Sequence, residues 1–171
     1  MSKASTKLLK PIKLMLVESE EADAQAFRDA FSGLTDRVQL TMAVGLGEAR
    51  GQLRDWQPDI VVTSLELPDG KGTDLLVAQT EPLSFPVVVI SEKGMAQDAV
   101  KAMKAGALDY VVKSPGAFAE MPRIVNRALH EWDDAVQRKR PSRPYSRRPQ
   151  DVGNSSTLPK SPSSHSTTLA L

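Results

Sequence analysis

Between Pro11 and Val136, short apolar runs alternate five times with amphipathic stretches, a rhythm that few architectures accommodate. A strand covered on both faces is continuously apolar, whereas the helix covering it keeps its apolar residues on one face. Ile12 to Val17 is the first compact run. Glu20, Glu21 and Asp23 then fall in a first helical turn, where carboxylates complement the helix dipole. Ala22, Ala26, Phe27, Ala30 and Phe31 share one helical face, and Gly33 marks the stop. Val38, Leu40 and Met42 alternate as in a half-exposed strand, and Leu46, Ala49, Leu53 and Trp56 recur at helical spacing before Pro58.

Ile60 to Ser64 reads as the third strand, and the turn cluster Pro68-Asp69-Gly70-Lys71-Gly72 leads into a short helix. Phe85 to Ile90 is the most apolar run. After Gly94, Ala96, Ala99, Val100 and Met103 are expected to face inward from a fourth helix that Gly106 ends. Asp109 to Val112 makes a fifth strand, and Phe118, Met121, Val125, Ala128 and Trp132 form the stripe of a last helix. Five strands joined by helices require right-handed crossovers. The fold class is therefore α/β, a flavodoxin-like doubly wound (βα)5 with a five-stranded parallel sheet of order 2-1-3-4-5.

The formal charge of +1 conceals two opposite halves: residues 1–135 carry 15 basic against 20 acidic side chains, and residues 136–171 carry 7 against 1. The second segment is rich in Ser, Pro and Arg and has too few apolar residues to offset the entropy of ordering. We expect a flexible segment over 1–11, one folded domain over 12–136 and a disordered basic tail over 137–171. The chain has no cysteine, so no disulfide framework can hold it. No apolar stretch has the length of a signal-peptide core or a membrane span, which predicts an unexported, cytoplasmic protein.

In a doubly wound sheet, function gathers at the carboxyl ends of the strands. Those ends present Glu18 and Ser19, then Ser64, Ser91 and Lys113. Here the chain resembles a response-regulator receiver domain of two-component signalling, through VESEEADAQAF, PDIVVTSLELPDGKGTDLL, PVVVISEKG and AGALDYVVKSPGAF, across roughly residues 12 to 136. The form KSPGAFAEMPRIVNRALHEW is similar to receivers associated with sensory histidine kinases. In that family two acidic residues after the first strand and an acceptor aspartate after the third hold Mg²⁺ during phosphoryl transfer, which needs hard oxygen ligands and a nucleophilic carboxylate.

On the resemblance, Glu18 matches the first acidic position, Ser19 replaces the second acid, and Ser64 replaces the acceptor. With two of three carboxylates gone we expect no cofactor and no metal site beyond weak binding at Glu18, even with a backbone carbonyl near Glu66. Lys113 matches the family's lysine, and its natural partner becomes Glu18. Ser91 and Tyr110 match the hydroxyl and aromatic switch positions. Read from local chemistry alone, Ser91 caps the following turn and Tyr110 is a half-buried aromatic. Ser64 is then a small polar residue satisfied by Lys113 or water, and Glu66 and Asp69 are surface acids. The chain also departs from the family's lysine-proline pair, reading Lys113-Ser114-Pro115.

The preferred reading is a stand-alone pseudo-receiver: no enzyme, but a module acting by phosphorylation-independent contact with a histidine kinase or another signalling protein. The face of the fourth helix, fifth strand and fifth helix would carry that contact, or a homodimer. A second reading keeps phosphotransfer through Ser64 with Glu18 as general base. A third lets the tail bind nucleic acid through Arg138, Lys139, Arg140, Arg143, Arg147 and Arg148, with Tyr145 available to stack. No membrane partner is expected.

Overall fold

A computed structural model describes residues 10–77 and 84–139. The sheet strands are β1 (Ile12–Val17), β2 (Val38–Ala43), β3 (Ile60–Ser64), β6 (Val87–Ser91) and β7 (Asp109–Val112), all parallel in the order β2-β1-β3-β6-β7. This is the predicted 2-1-3-4-5 arrangement. The numbering is displaced only by a small antiparallel hairpin, β4 (Glu66–Leu67) with β5 (Gly70–Lys71), directly after β3.

The helices are α1 (Glu21–Phe31), α2 (Leu46–Asp55), α3 (Asp74–Val77), α4 (Ala96–Lys104) and α5 (Pro115–Lys139). Strand alternation splits the core into two layers. Met15, Val17, Val61, Val87 and Val89 pack with Leu46, Ala49, Leu75, Leu76 and Ala102 beneath α2, α3 and α4. Leu14, Leu16, Ile60, Val62, Val88 and Ile90 face the other way, against Phe27 and Phe31 of α1 and Phe118, Met121, Val125 and Ala128 of α5. Phe27 and Phe31 stack with ring centroids 4.9 Å apart. The central strands β1, β3 and β6 are thus apolar on both faces, as their continuous sequence runs require.

Three expectations shift. Ala22 is exposed, and Ala24 takes its place beside Phe27 and Phe31, the spacing that keeps one helical stripe. On α4 only Ala102 is fully buried, while Val100 and Met103 are about half exposed. Ala102 is the α4 side chain that packs into the layer with Val87, Val89 and Ala107, and the larger apolar residues are left toward solvent. The last helix runs past Val136 to Lys139, with Arg138 and Lys139 in its final turn, where cations complement the dipole. The remaining basic tail, with Tyr145, lies outside the described residues, as do residues 1–9 of the N-terminal segment. No described helix is long and apolar enough to cross a membrane.

Candidate functional site

The backbone ladder continues one residue beyond the strands and so fixes the polar groups at their carboxyl ends. Glu18 N–H donates to Ala43 O at 2.9 Å, Leu65 N–H to Ile90 O at 2.7 Å, and Lys113 N–H to Ser91 O at 2.8 Å. Glu18, Ser64 and Lys113 therefore converge from β1, β3 and β7. The Ser64 hydroxyl donates to Glu18 Oε2 in a short hydrogen bond. Lys113 Nζ lies 2.8 Å from the same oxygen. Glu18 Oε1 accepts from Glu20 N–H at 2.9 Å, so both carboxylate oxygens are engaged.

A fourth member comes from α1. Asp23 Oδ2 lies 2.8 Å from Lys113 Nζ, so the ammonium sits between two carboxylates. The side chains of Glu18, Lys113 and Asp23 are 1%, 10% and 25% exposed, and pairs this dry are screened far less than surface pairs. Burial disfavours the Lys113 ammonium, but the hydrogen bonds and charges of Asp23 and Glu18 outweigh it and hold the group above its ordinary range. Ser19 is half-buried beside Glu18 and takes no part in these bonds.

The sequence correctly indicated the Glu18–Lys113 pair; for Ser64 it favoured Lys113 or water, and only the second reading set Glu18 beside it. The partner of Ser64 is that carboxylate, arriving from the adjacent strand. Asp23 was read only as a complement to the helix dipole. Its position in the first turn of α1, five residues after Glu18, was the available signal, because that turn opens on the strand ends.

Ser91 and Tyr110 bond elsewhere. Ser91 Oγ donates to Lys93 O at 3.2 Å and accepts from Lys93 N–H at 3.3 Å, a local turn of the kind serine forms readily. Tyr110 is half-buried, and its Oη donates to the same Lys93 carbonyl at 2.9 Å. Two hydroxyls thus secure the loop between β6 and α4. The displaced proline is also explained: Ser114 Oγ accepts from Ala117 N–H at 3.0 Å, capping α5, and Pro115 occupies the first helical position, where its missing N–H costs nothing.

Asp69 is exposed, as expected of a surface acid, yet it has a defined role. Its carboxylate accepts from Leu46 N–H and Gly47 N–H, both at 2.8 Å, tying the β4–β5 hairpin to the start of α2. The hydrogen bonds from Gly47 and Leu46 hold its carboxyl below the ordinary range. Gly45 makes room, since a Cβ there would stand 2.8 Å from Asp69 Oδ1. Gly70, at φ +147°, turns the hairpin in a backbone region that favours glycine. Glu66 is exposed and pairs with Lys71 at 3.7 Å. Among the described residues, no three His, Cys, Asp or Glu side chains gather as a metal site.

A doubly wound sheet whose polar side chains meet beyond β1, β3 and β7 is the architecture of a signalling receiver. The family model of the response regulator receiver domain matches residues 14–125, and the chain belongs to that family. It is 32% identical over 128 residues to the two-component response regulator PhoP of Pseudomonas aeruginosa, covering 74% of this chain and 55% of that protein. It is 33% identical over 118 residues to the KDP operon transcriptional regulatory protein KdpE of Escherichia coli, covering 68% and 50%. The match thus spans about half the length of these curated relatives. A putative response regulator from Chloroflexus aurantiacus superposes with a TM-score of 0.62 at 23% identity, covering 71% of this chain and 99% of the other. A CheY-like receiver domain protein from Methanospirillum hungatei gives 0.63 at 17%, covering 74% and 99%. Both likenesses bear on the fold.

Proposed function

We propose that this chain is a pseudo-receiver, a receiver domain in two-component signalling that acts in the cytoplasm by protein contact and without aspartyl phosphorylation. It has no catalytic activity of its own. The observation that carries this reading is Ser64 at the end of β3, where the family presents its acceptor carboxylate, with its hydroxyl bonded to Glu18. A hydroxyl needs activation by a base, and Glu18 Oε2 is already paired with Lys113. Removing the serine proton would break that ion pair.

The partner is a histidine kinase or another signalling protein, and the contact is the face of α4, β7 and α5. Met95, Val100, Met103 and Val112 are each about half exposed there. Gly94 joins them, since a Cβ on it would lie 3.2 Å from Val112 Cγ2. A second copy of the chain could use the same face. Incubation of the full chain with a small-molecule phosphodonor and Mg²⁺, read by intact-mass spectrometry, should give no adduct. A stoichiometric phosphoryl adduct on the pocket overturns the proposal.

The Ser64–Glu18 hydrogen bond also favours a second reading, in which Ser64 is the nucleophile and Glu18 the base. It predicts labelling that Ser64→Ala abolishes. Labelling unchanged by that substitution eliminates it.

A further inference from the structure

The family implies a divalent cation at this pocket, and the donor set here does not fit one. Mg²⁺ is held at roughly 2.0–2.1 Å by carboxylate oxygens, with water and phosphate completing an octahedron. Glu18 Oε2 already receives Ser64 Oγ and Lys113 Nζ, and Glu18 Oε1 receives Glu20 N–H. Ser64 and Ser19 bring neutral hydroxyls where carboxylates would be needed. The space between the two acids that remain is filled by an ammonium 2.8 Å from each.

We propose that the Lys113 ammonium is the pocket's resident cation, drawn between Glu18 and Asp23, and that it takes the place of the divalent ion. Asp23 is then a positioning residue. With Glu18 alone, a flexible lysine stem would leave the ammonium one carboxylate and many rotamers. A second carboxylate on α1 fixes it over the strand ends and ties α1 to β7 across the pocket. Asp23 is available for this because it lies in the first turn of α1, where the dipole stabilises negative charge. Two carboxylates and one ammonium leave a formal charge of −1, too little to attract a dication strongly while the ammonium occupies the centre. Charge balance at the strand ends is therefore supplied by the chain itself, independently of free metal concentration.

This inference rests on the pseudo-receiver reading, but its test is separate. Mn²⁺ binding to the full chain can be followed by electron paramagnetic resonance, with Lys113→Ala alongside. The wild type should show no saturable millimolar binding, and Lys113→Ala, which vacates a space between two carboxylates, should bind at least about tenfold more tightly and gain thermal stability with added Mn²⁺. Equal binding by both proteins, or no gain in Lys113→Ala, overturns the proposal. If Lys113→Ala does not fold, Asp23→Asn decides the question through acylation of the Lys113 amine, located by peptide mass spectrometry. The rate should rise severalfold in that variant while other lysines are unchanged, and an unchanged Lys113 rate overturns the proposal. Phosphoryl labelling of a wild type that excludes Mn²⁺ sinks the pseudo-receiver reading alone, whereas Mn²⁺ binding by an unlabelled wild type sinks this inference alone.

Discussion

At the carboxyl edge of the sheet, the pocket of Glu18, Ser64, Lys113 and Asp23 contrasts with the loop held by Ser91 and Tyr110. The pocket's side chains bond over long sequence distances, with 46 residues separating Glu18 from Ser64 and 90 separating Asp23 from Lys113. The hydroxyls of Ser91 and Tyr110 both end on Lys93, two and 17 residues away. No side-chain hydrogen bond among the described residues joins the two sets, and their direct link is the backbone bond from Lys113 N–H to Ser91 O at 2.8 Å. Coupling between the two sets is therefore to be tested through what each hydroxyl is bonded to, rather than through its residue type.

The sharpest way to break this comparison is to remove one charge from the pocket. Lys113→Met leaves Glu18 buried and uncompensated, and equilibrium urea unfolding should show a loss of about 3–5 kcal/mol. The pH dependence has a definite sign. Lys113 is held above its ordinary 10.5, so the pair's contribution is complete below that pH and is lost as pH rises through the higher folded value. A wild-type stability curve that already declines between pH 8 and pH 10, and does so only while Lys113 is present, would contradict it.

Ser64→Ala should cost less, about 1.5–3 kcal/mol, because it removes one hydrogen bond to a charged acceptor and leaves the ion pair intact. In the contrasting region Tyr110→Phe should cost only about 0.5–1.5 kcal/mol. A double-mutant cycle combining the two should be additive within about 0.5 kcal/mol. A larger coupling energy would mean that pocket and loop are energetically joined after all.

Asp69 sharpens the comparison from the other side of the sheet. Its depressed pKa means that its clasp on α2 is intact above the ordinary 3.8 and weakens as pH falls through the lower folded value. Asp69→Asn should lower stability in the neutral region, flatten the acid limb, and converge with the wild type once pH has fallen below the folded value. The smallest stability effect belongs to Val100→Glu, within about 0.5 kcal/mol at an exposed site. It should nonetheless weaken binding to a histidine kinase in anisotropy titrations, and full retention of binding would remove the α4–β7–α5 face as the contact.

Much of this molecule was legible in its sequence. Apolar runs at Ile12–Val17, Ile60–Ser64 and Val87–Ser91 specify strands covered on both sides, because only that environment favours continuous burial. Right-handed crossovers then permit few strand orders, and the strand ends bring Glu18, Ser64 and Lys113 together. The orientation of α4 was not legible, since Ala96, Ala99, Val100, Ala102 and Met103 support two apolar faces, and helical periodicity does not say which one meets the sheet. Packing chose Ala102.

The sequence by itself determined the doubly wound scaffold and the residue types, Glu18, Ser19, Ser64 and Lys113, that stand at its strand ends, because burial pattern and residue identity are local properties of the chain. Tertiary structure alone decided that Asp23 meets Lys113, that Ser64 bonds Glu18 rather than Lys113 or water, and that Ser91 and Tyr110 share the Lys93 carbonyl. The physical reason is reach. Hydrogen bonds and buried ion pairs are set within fractions of an ångström, so their partners are fixed only when packing brings the elements that carry them into register.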